Sequence, residues 1–288
     1  MISKVLVIGA GTMGNGIAQV CATSGLSVTM TDVTEAAVKK GLAQIEKALA
    51  RMVEKGKLGA DARDRALSSI AIGTDPAGAA SEVDLVIEAI PERMDLKLEL
   101  FGAISRRAPS HALLATNTSS LSVTEIAGAS IDPSRVVGLH FFNPVPVMEL
   151  LEIVRGLSTT DATVEQARAF GARIGKRSIV VKDAPGFATS RLGVILGCEA
   201  IRMLESGVAS AEDIDLAMEL GYRHPMGPLK LTDLVGLDVR LAILDHLHRE
   251  LGEQFRAPPL LRQMVRAGRL GKKVGRGFYD YPTDPSKA

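Results

Sequence analysis

One histidine in this sequence is placed to act as a general base. His140 directly follows an apolar run at residues 136–139, and acidic side chains follow it at Glu149 and Glu152. Histidine titrates near neutrality, so it can take the proton of an alcohol while hydride leaves the same carbon, and a carboxylate behind the ring stabilises the imidazolium. Spacing alone leaves both glutamates open as that carboxylate.

Hydroxyl and amide side chains follow another predicted strand. Residues 116–120, Thr-Asn-Thr-Ser-Ser, come straight after an apolar run. Open α/β sheets bind ligands in the crevice outside the carboxyl ends of their strands. We therefore expect this segment to line such a crevice.

The chain also carries a predicted dinucleotide-binding turn. An apolar run at residues 5–8 breaks into G-x-G-x-x-G at residues 9–14, and a helical apolar pattern follows. Glycines at these positions allow a sharp turn and bring a pyrophosphate close to a helix N-terminus, although the pattern alone also occurs in ordinary turns. A second predicted strand, residues 27–31, is followed by Asp32, where an acid binds the ribose 2′-hydroxyl and repels a 2′-phosphate. The predicted cofactor is therefore NAD rather than NADP.

The elements that must position these residues alternate along the chain. Strand patterns at about residues 5–8, 27–31, 70–73, 85–89, 113–116, 136–139, 149–154 and 178–181 are separated by helical patterns. This alternation predicts an α/β fold with a Rossmann-type doubly wound parallel sheet. Beyond residue 186 the pattern is helical, with one long helix expected over residues 231–252. We predict an NAD-binding domain over residues 1–184 and an all-helical C-terminal domain over residues 185–288, which provides a wall of the substrate cleft and a homodimer contact.

Composition excludes several classes of partner. Of the 288 residues, Lys and Arg total 34 against 33 Asp and Glu. A net charge near +1 produces no electrostatic field that would attract the protein to nucleic acid or to a membrane surface. Cys21 and Cys198 lie in apolar helical patterns, which favour buried thiols over a disulfide or metal ligand, and no metal site is predicted. No leader-like segment or long apolar run is present, so we expect a cytoplasmic protein.

Six motifs occur in an order that resembles the L-3-hydroxyacyl-CoA dehydrogenases. They are G-x-G-x-x-G at residues 9–14, Asn-Thr-Ser-Ser at 117–120, His-Phe-Phe-Asn-Pro at 140–144, Pro-Gly-Phe at 185–187, His-Pro-Met-Gly-Pro at 224–228 and Gly-x-Gly-Phe-Tyr at 275–279. The resemblance extends from residue 3 to about residue 281 and favours the stand-alone 3-hydroxybutyryl-CoA dehydrogenases. It implies an NAD-dependent oxidoreductase that interconverts a short (S)-3-hydroxyacyl-CoA and the 3-oxoacyl-CoA.

The same resemblance implies roles for individual residues. His140 is expected to be the general base, Glu152 its carboxylate partner and Ser119 a hydrogen-bond donor near the reacting oxygen. The residues expected around the cofactor are Gly9, Gly11, Thr12, Met13, Gly14, Asp32, Glu92, Lys97, Asn143 and Lys273. The basic side of the helix predicted over residues 34–55 falls where the family meets coenzyme A.

The sequence departs from the family pattern at Ser190, the fourth expected catalytic-site residue. The family usually has asparagine at this place after Pro-Gly-Phe, so the substrate contact and the acyl specificity stay open. Two other functions also stay open: a dehydrogenase of a free polar 3-hydroxy acid, such as gulonate or carnitine, and a non-catalytic NAD-binding protein. The presence of Ser119, His140 and Glu152 together argues against the second.

Overall fold

The structure, a computed structural model, describes residues 2–282. The chain divides into two compact units after Ala184. The strands of the first unit are β1 Lys4–Ile8, β2 Ser27–Thr31, β3 Ile70–Gly73, β4 Leu85–Glu88, β5 Leu113–Thr116, β6 Val136–Phe141, β7 Leu150–Arg155 and β8 Arg177–Lys182. Its helices are α1 Thr12–Thr23, α2 Glu35–Glu54, α3 Ala60–Ser68, α4 Pro76–Ala79, α5 Met94–Ser105, α6 Val123–Gly128 and α7 Asp161–Arg173.

The eight strands form one sheet in the order β3-β2-β1-β4-β5-β6-β7-β8. The order reverses between β1 and β4, which is where doubly wound sheets bind their ligands. The predicted fold class is confirmed, but the expectation of a wholly parallel sheet is wrong, because β7 runs antiparallel to β6. The connection between these two strands is short and contains no helix, whereas a parallel return needs a longer crossover.

Burial on both faces explains the apolar sequences of the central strands. Every residue of β4, β5 and β6 is buried, as expected of strands covered by helices on both sides. Alternate residues of β1 enter two separate cores: Val5 and Val7 pack with α1, α2 and α7, and Leu6 and Ile8 pack with α5 and α6. The sheet is therefore held from both faces, and its strand ends are fixed relative to one another.

The second unit is helical, with α8 Thr189–Glu205, α9 Ala211–Leu216, α10 Pro228–Val235, α11 Leu237–Leu251 and α12 Pro259–Arg266. The expectation of a single helix over residues 231–252 is wrong. Gly236 has a φ of 105° and lies between α10 and α11. Residues other than glycine rarely adopt that conformation, so the apolar pattern continues while the helix does not.

One of the sequence motifs serves the packing of this second unit. Asp215 and Asp233 are buried carboxylates. Asp215 accepts hydrogen bonds from Leu229 N at 2.7 Å and from the Tyr279 hydroxyl at 2.8 Å, and Asp233 accepts one from the Tyr281 hydroxyl at 3.0 Å. These bonds attach residues 278–281 to the helices, which gives the Gly-x-Gly-Phe-Tyr motif a structural role.

Both cysteines are buried free thiols, as predicted. Burial raises the pKa of Cys21 to about 12, so this thiol stays protonated. In the described part of the chain, no helix combines the length and apolar character needed to cross a membrane.

Candidate active site

His140 and Glu152 face each other across two neighbouring strands. His140 lies inside β6, not after it as the sequence pattern suggested, and its register partner in β7 is Glu152. The His140 Nδ1 atom is 2.9 Å from Glu152 Oε2, and the two side chains are 8% and 0% exposed. With Glu152 ionised, Nδ1 carries the proton and the Nε2 lone pair is the basic one.

The antiparallel register separates the two glutamates that the spacing left open. Glu149 precedes β7 and is exposed, whereas Glu152 is within the strand and buried. Side chains directly opposite each other in such a pair lie within contact distance. The structure therefore pairs the imidazole with Glu152.

The segment after β5 is held against β4 and β6 by hydrogen bonds. The backbone N–H of Asn117 donates to Glu88 O at 2.8 Å, and Asn117 Oδ1 accepts from the backbone N–H of Phe141 at 2.9 Å. The second bond joins this segment to the residue after His140. Residues 117–120 and the histidine thus belong to one hydrogen-bonded edge of the sheet.

Glu92 is the centre of the next group of contacts. Its Oε1 accepts hydrogen bonds from the Thr118 hydroxyl at 2.6 Å, from Ser119 N at 2.8 Å and from the Ser119 hydroxyl at 3.2 Å. Burial alone would raise the pKa of Glu92, but the charge of Lys97 and these hydrogen bonds hold it below its usual range. An ionised carboxylate therefore orients the loop that carries Ser119.

Lys97 lies entirely inside the protein. Its Nζ is 2.6 Å from Glu88 Oε1 and 3.4 Å from Glu92 Oε2, and both the Lys97 and Glu88 side chains are 0% exposed. Glu88 Oε2 also accepts from the Thr116 hydroxyl at 2.6 Å. Sequence analysis did not single out Glu88; the one available signal was a charged residue at the end of an otherwise apolar strand. Lys97 therefore contacts Glu92 inside the protein and does not reach the surface.

The glycine turn and Asp32 border a cavity of about 730 Å³. A Cβ on Gly14 would lie 1.7 Å from Gly9 O, so this close approach requires glycine, while a Cβ on Gly11 would meet nothing within 4 Å. Asp32 Oδ2 accepts from the backbone N–H of Ala10 at 2.7 Å. Thr12 and Met13, the first residues of α1, also line the cavity.

One end of this cavity is suited to an anion. Open space beside Gly11 lies at the N-terminus of α1, where backbone N–H groups and the helix dipole favour an anion. The Asp32 carboxylate lies just after β2 and borders the same cavity. Gly9, Gly11, Thr12, Met13 and Asp32 are therefore together in one site, with Gly14 behind them.

The remaining predicted residues lie elsewhere. Asn143 is exposed in the connection between β6 and β7. In the second unit, Ser190 is in the first turn of α8, and Lys273 is in a 3₁₀ turn where its Nζ lies 2.6 Å from Asp238 Oδ1. The pairing of Lys273 with Asp238 was not predicted, since the two residues are far apart in sequence.

The comparisons with known proteins cover nearly the whole chain. Residues 4–184 match the family model described as the 3-hydroxyacyl-CoA dehydrogenase NAD binding domain, and residues 186–281 match the model of its C-terminal domain. The chain belongs to the 3-hydroxyacyl-CoA dehydrogenase family. This confirms the predicted family, enzyme class and NAD cofactor.

Similar proteins from this family extend over nearly the full length. A probable 3-hydroxybutyryl-CoA dehydrogenase of Bacillus subtilis is 47% identical, over 97% of this chain and 98% of its own. Among solved structures, (S)-3-hydroxybutyryl-CoA dehydrogenase PaaH1 of Ralstonia eutropha has a TM-score of 0.95 and 43% identity, covering 98% of this chain and 100% of its own. FadB2 of Mycobacterium tuberculosis has a TM-score of 0.94 and 45% identity, covering 98% and 99%.

Proposed function

We propose that this 3-hydroxyacyl-CoA dehydrogenase interconverts (S)-3-hydroxybutyryl-CoA, or a related short (S)-3-hydroxyacyl-CoA, with the 3-oxoacyl-CoA. The observation that carries the proposal is the buried His140–Glu152 pair, whose atoms are 2.9 Å apart, on the sheet edge that also holds the Ser119 loop. The names of similar proteins support the substrate class. When bound, NAD supplies the hydride acceptor for the oxidation.

Residues of this chain would then bind the 3-oxygen and transfer the hydroxyl proton. Ser119 stays bound to Glu92 through its backbone N–H, and its hydroxyl turns from Glu92 to donate a hydrogen bond to the 3-oxygen. His140 Nε2 takes the hydroxyl proton, and the resulting imidazolium is stabilised by the adjacent Glu152 carboxylate, which is buried and therefore weakly screened. In the reverse direction the same imidazolium returns the proton to the oxygen.

The proposed roles around the cofactor follow the geometry of the first unit. Asp32 receives the adenosine ribose, and the start of α1 receives the pyrophosphate. Lys97 acts on the site through Glu92, because it is fully buried against that residue and Glu88. For Asn143 and Lys273 we propose cofactor contacts on the strength of the family resemblance.

A coenzyme A thioester is favoured over a free hydroxy acid by a basic surface. The lysines and arginine on one side of α2 and just after it are all exposed: Lys39, Lys40, Lys47, Arg51, Lys55 and Lys57. Such a surface suits the phosphates of coenzyme A. A free gulonate- or carnitine-type acid carries no phosphate.

We also propose a cytoplasmic homodimer that associates through the second unit. Large apolar side chains of this unit are exposed, and they include Leu216, Leu220, Tyr222, Leu234 and Val239. Exposed apolar patches of this kind often mark contacts between copies. Sedimentation of the wild type and of Leu220→Glu tests this; a wild type that sediments as a monomer contradicts it.

The function is tested by NADH oxidation with acetoacetyl-CoA and with free acetoacetate. We expect turnover of the thioester and little of the free acid. Equal rates would favour the free-acid dehydrogenase. No turnover of any 3-oxoacyl-CoA or free 3-oxo acid, with NADH binding retained, would favour the non-catalytic protein.

A further inference from the structure

The second unit contains a cavity of about 490 Å³ whose charged lining is mostly arginine. Ligand pockets usually have volumes of about 300–1,000 Å³, so this cavity has room for a small molecule. It lies between the end of α8, the turn that follows α11 and the start of α12. The charged side chains that line it are Arg202, Glu205, Glu253, Arg256, Arg262 and Arg266. With four cations against two anions, the lining carries an excess of positive charge.

Two of these arginines are held in place by the protein. The Arg202 guanidinium donates to Gln254 O at 3.1 Å and to Arg256 O at 3.0 Å. The Arg262 guanidinium contacts both carboxylate oxygens of Asp245, with Nη1 at 3.2 Å from Oδ2. A guanidinium has five N–H donors, so neither side chain is saturated by these bonds. Both arginines therefore present further donors in a fixed position.

The other two arginines are poorly compensated. The Arg256 side chain is 72% exposed, and its Nη1 is 3.5 Å from Glu253 Oε2, whose carboxylate also contacts His248. Arg266 is exposed and forms no ion pair with a carboxylate among residues 2–282. The excess positive charge of the cavity is therefore concentrated on Arg256 and Arg266.

The spacing on α12 places two of the cations next to each other. Arg262 and Arg266 are four residues apart on this helix, so their Cβ atoms lie about 5–6 Å apart on one side, where like charges repel each other. Residues 254–279 contain seven Lys and Arg and no Asp or Glu, so the segment itself provides no opposite charge. An anion bound at the cavity would remove this repulsion.

We propose that this cavity binds a polyphosphate group, either free or as part of a nucleotide. A guanidinium binds phosphate oxygens through two parallel hydrogen bonds, and linked phosphates present such oxygens to several arginines at once. The apolar part of the lining is Ala257, Pro258 and Pro259. Proline has no backbone N–H, so the donors to the ligand come chiefly from the arginine side chains. The site lies within the second unit and is independent of the proposed dehydrogenase function.

The test is calorimetric titration of the full chain with pyrophosphate and, separately, with ATP in magnesium-free buffer. Saturating NADH is present, so that the dinucleotide cavity of the first unit is filled. We expect saturable binding that weakens as the salt concentration rises, because added ions screen the charges. Arg266→Met should raise Kd at least about tenfold, equivalent to ~1.4 kcal/mol. Arg269→Met removes an exposed arginine just after α12 that does not line the cavity, and it should leave Kd unchanged.

A second variant should strengthen binding instead of weakening it. Glu205 Oε1 accepts a hydrogen bond from Leu260 N at 2.9 Å. The carbonyl oxygen of a glutamine can accept the same bond, so Glu205→Gln removes a negative charge from the lining without removing this contact. It should lower Kd for pyrophosphate by roughly threefold or more, because the ligand no longer meets a like charge. A Kd that rises or does not change in Glu205→Gln would contradict the proposal.

The ligands also separate the two sources of polyphosphate. Tighter binding of ATP than of pyrophosphate would assign the site to a nucleotide, and equal affinities would assign it to free polyphosphate. Citrate, with three carboxylates, tests the ligand class, and citrate binding as tight as that of pyrophosphate would overturn the proposal.

Three other results would overturn it as well. Binding that occurs only without NADH would belong to the cofactor cavity, and an unchanged Kd in Arg266→Met would exclude the arginines. If Arg266→Met changes the sedimentation of the protein, the arginines contact a second copy of the chain. None of these results affects acetoacetyl-CoA reduction, which tests the proposed function separately.

Discussion

Glu152 lies directly opposite His140 in the antiparallel pair of β6 and β7, and its Oε2 is 2.9 Å from the histidine Nδ1. The carboxylate is completely buried, so the hydrogen bond is formed where water does not compete. Its orienting effect on the imidazole should therefore be large.

Substitutions of this pair should show strong coupling. We expect His140→Ala to lower kcat by about 10²–10⁴, the usual range for loss of a positioned base, and Glu152→Gln to lower it heavily as well. The double variant should be little worse than His140→Ala, because a carboxylate that orients a ring has no task once the ring is absent. If the kcat of the double variant falls by the product of the two single losses, His140 and Glu152 do not act as a pair. Glu149→Gln, outside β7, is the control and should stay near wild type.

The position of Asp32 predicts discrimination between cofactors. The wild type should favour NAD over NADP by at least about tenfold in kcat/KM, equivalent to ~1.4 kcal/mol, because the carboxylate repels a 2′-phosphate. Asp32→Ser should reduce the ratio of kcat/KM for NAD to kcat/KM for NADP, chiefly by raising KM for NAD. Asp32 also accepts from Ala10 N, so Tm must be measured beside the kinetics. Equal kcat/KM with both cofactors in the wild type would refute the assignment.

The buried Lys97 should be essential for stability. Lys97→Met leaves Glu88 uncompensated inside the protein and should lower the free energy of unfolding by about 3–5 kcal/mol. Adding Glu88→Leu should restore part of that loss. Urea unfolding of both variants and of Lys47→Met, an exposed lysine on α2, measures the effect. A double variant that is less stable than Lys97→Met alone would disprove the compensation.

Ser190 should contribute to catalysis more weakly than the asparagine of the family. If its hydroxyl donates to an oxygen that gains charge, Ser190→Ala should lower kcat about 10- to 100-fold with little change in KM, less than the loss of a well-aimed oxyanion donor. We expect Ser190→Asn to be at least as fast as wild type on acetoacetyl-CoA. A kcat for Ser190→Ala within twofold of wild type would mean that the hydroxyl serves only its own helix turn. Ser206→Ala, just after α8, is the control.

Asp84 should make the stability of the first unit sensitive to acid. Burial alone would raise the pKa of Asp84, but hydrogen bonds from Lys4 N, Ser3 N and the Ser3 hydroxyl lower it to about 2. A folded-state pKa below the unfolded value adds stability above the unfolded pKa, about 3.9, and the contribution disappears as the pH falls toward 2. Asp84→Asn should therefore lower the free energy of unfolding by ~1–2 kcal/mol at pH 7 and much less near pH 2. A difference that does not shrink with pH would contradict this, and Asp61→Asn, in the exposed first turn of α3, is the control.

Local patterns predicted the parts of the fold that local chemistry determines. The apolar runs predicted the eight strands of the described chain within one or two residues. For β4, β5 and β6 the reason is burial on both faces, which requires a largely apolar sequence. A helix was predicted over residues 34–55, and at the start of α2 the Thr34 hydroxyl accepts a hydrogen bond from Ala37 N. The family and the cofactor class followed from motif order rather than from periodicity.

Long-range relationships could not be obtained in the same way. The direction of β7 depends on how residues 142–149 turn. Apolar periodicity shows where a strand lies in the sequence but not whether it runs parallel or antiparallel to its neighbour. The burial of Lys97 could not be predicted from its own helix, because its partner Glu88 is on another element. Gly236 interrupts a continuous apolar pattern through its backbone conformation.

The antiparallel pairing of β6 and β7 also bears on folding kinetics. His140 and Glu152 are 12 positions apart, so closing the loop between them costs little conformational entropy. Parallel neighbours such as β4 and β5 can pair only after a longer segment that contains a helix has formed. We expect the base and its carboxylate to meet early, in a local hairpin, before the remaining sheet condenses around them. The pair would then act as a folding nucleus, in which substitutions slow refolding more than they accelerate unfolding.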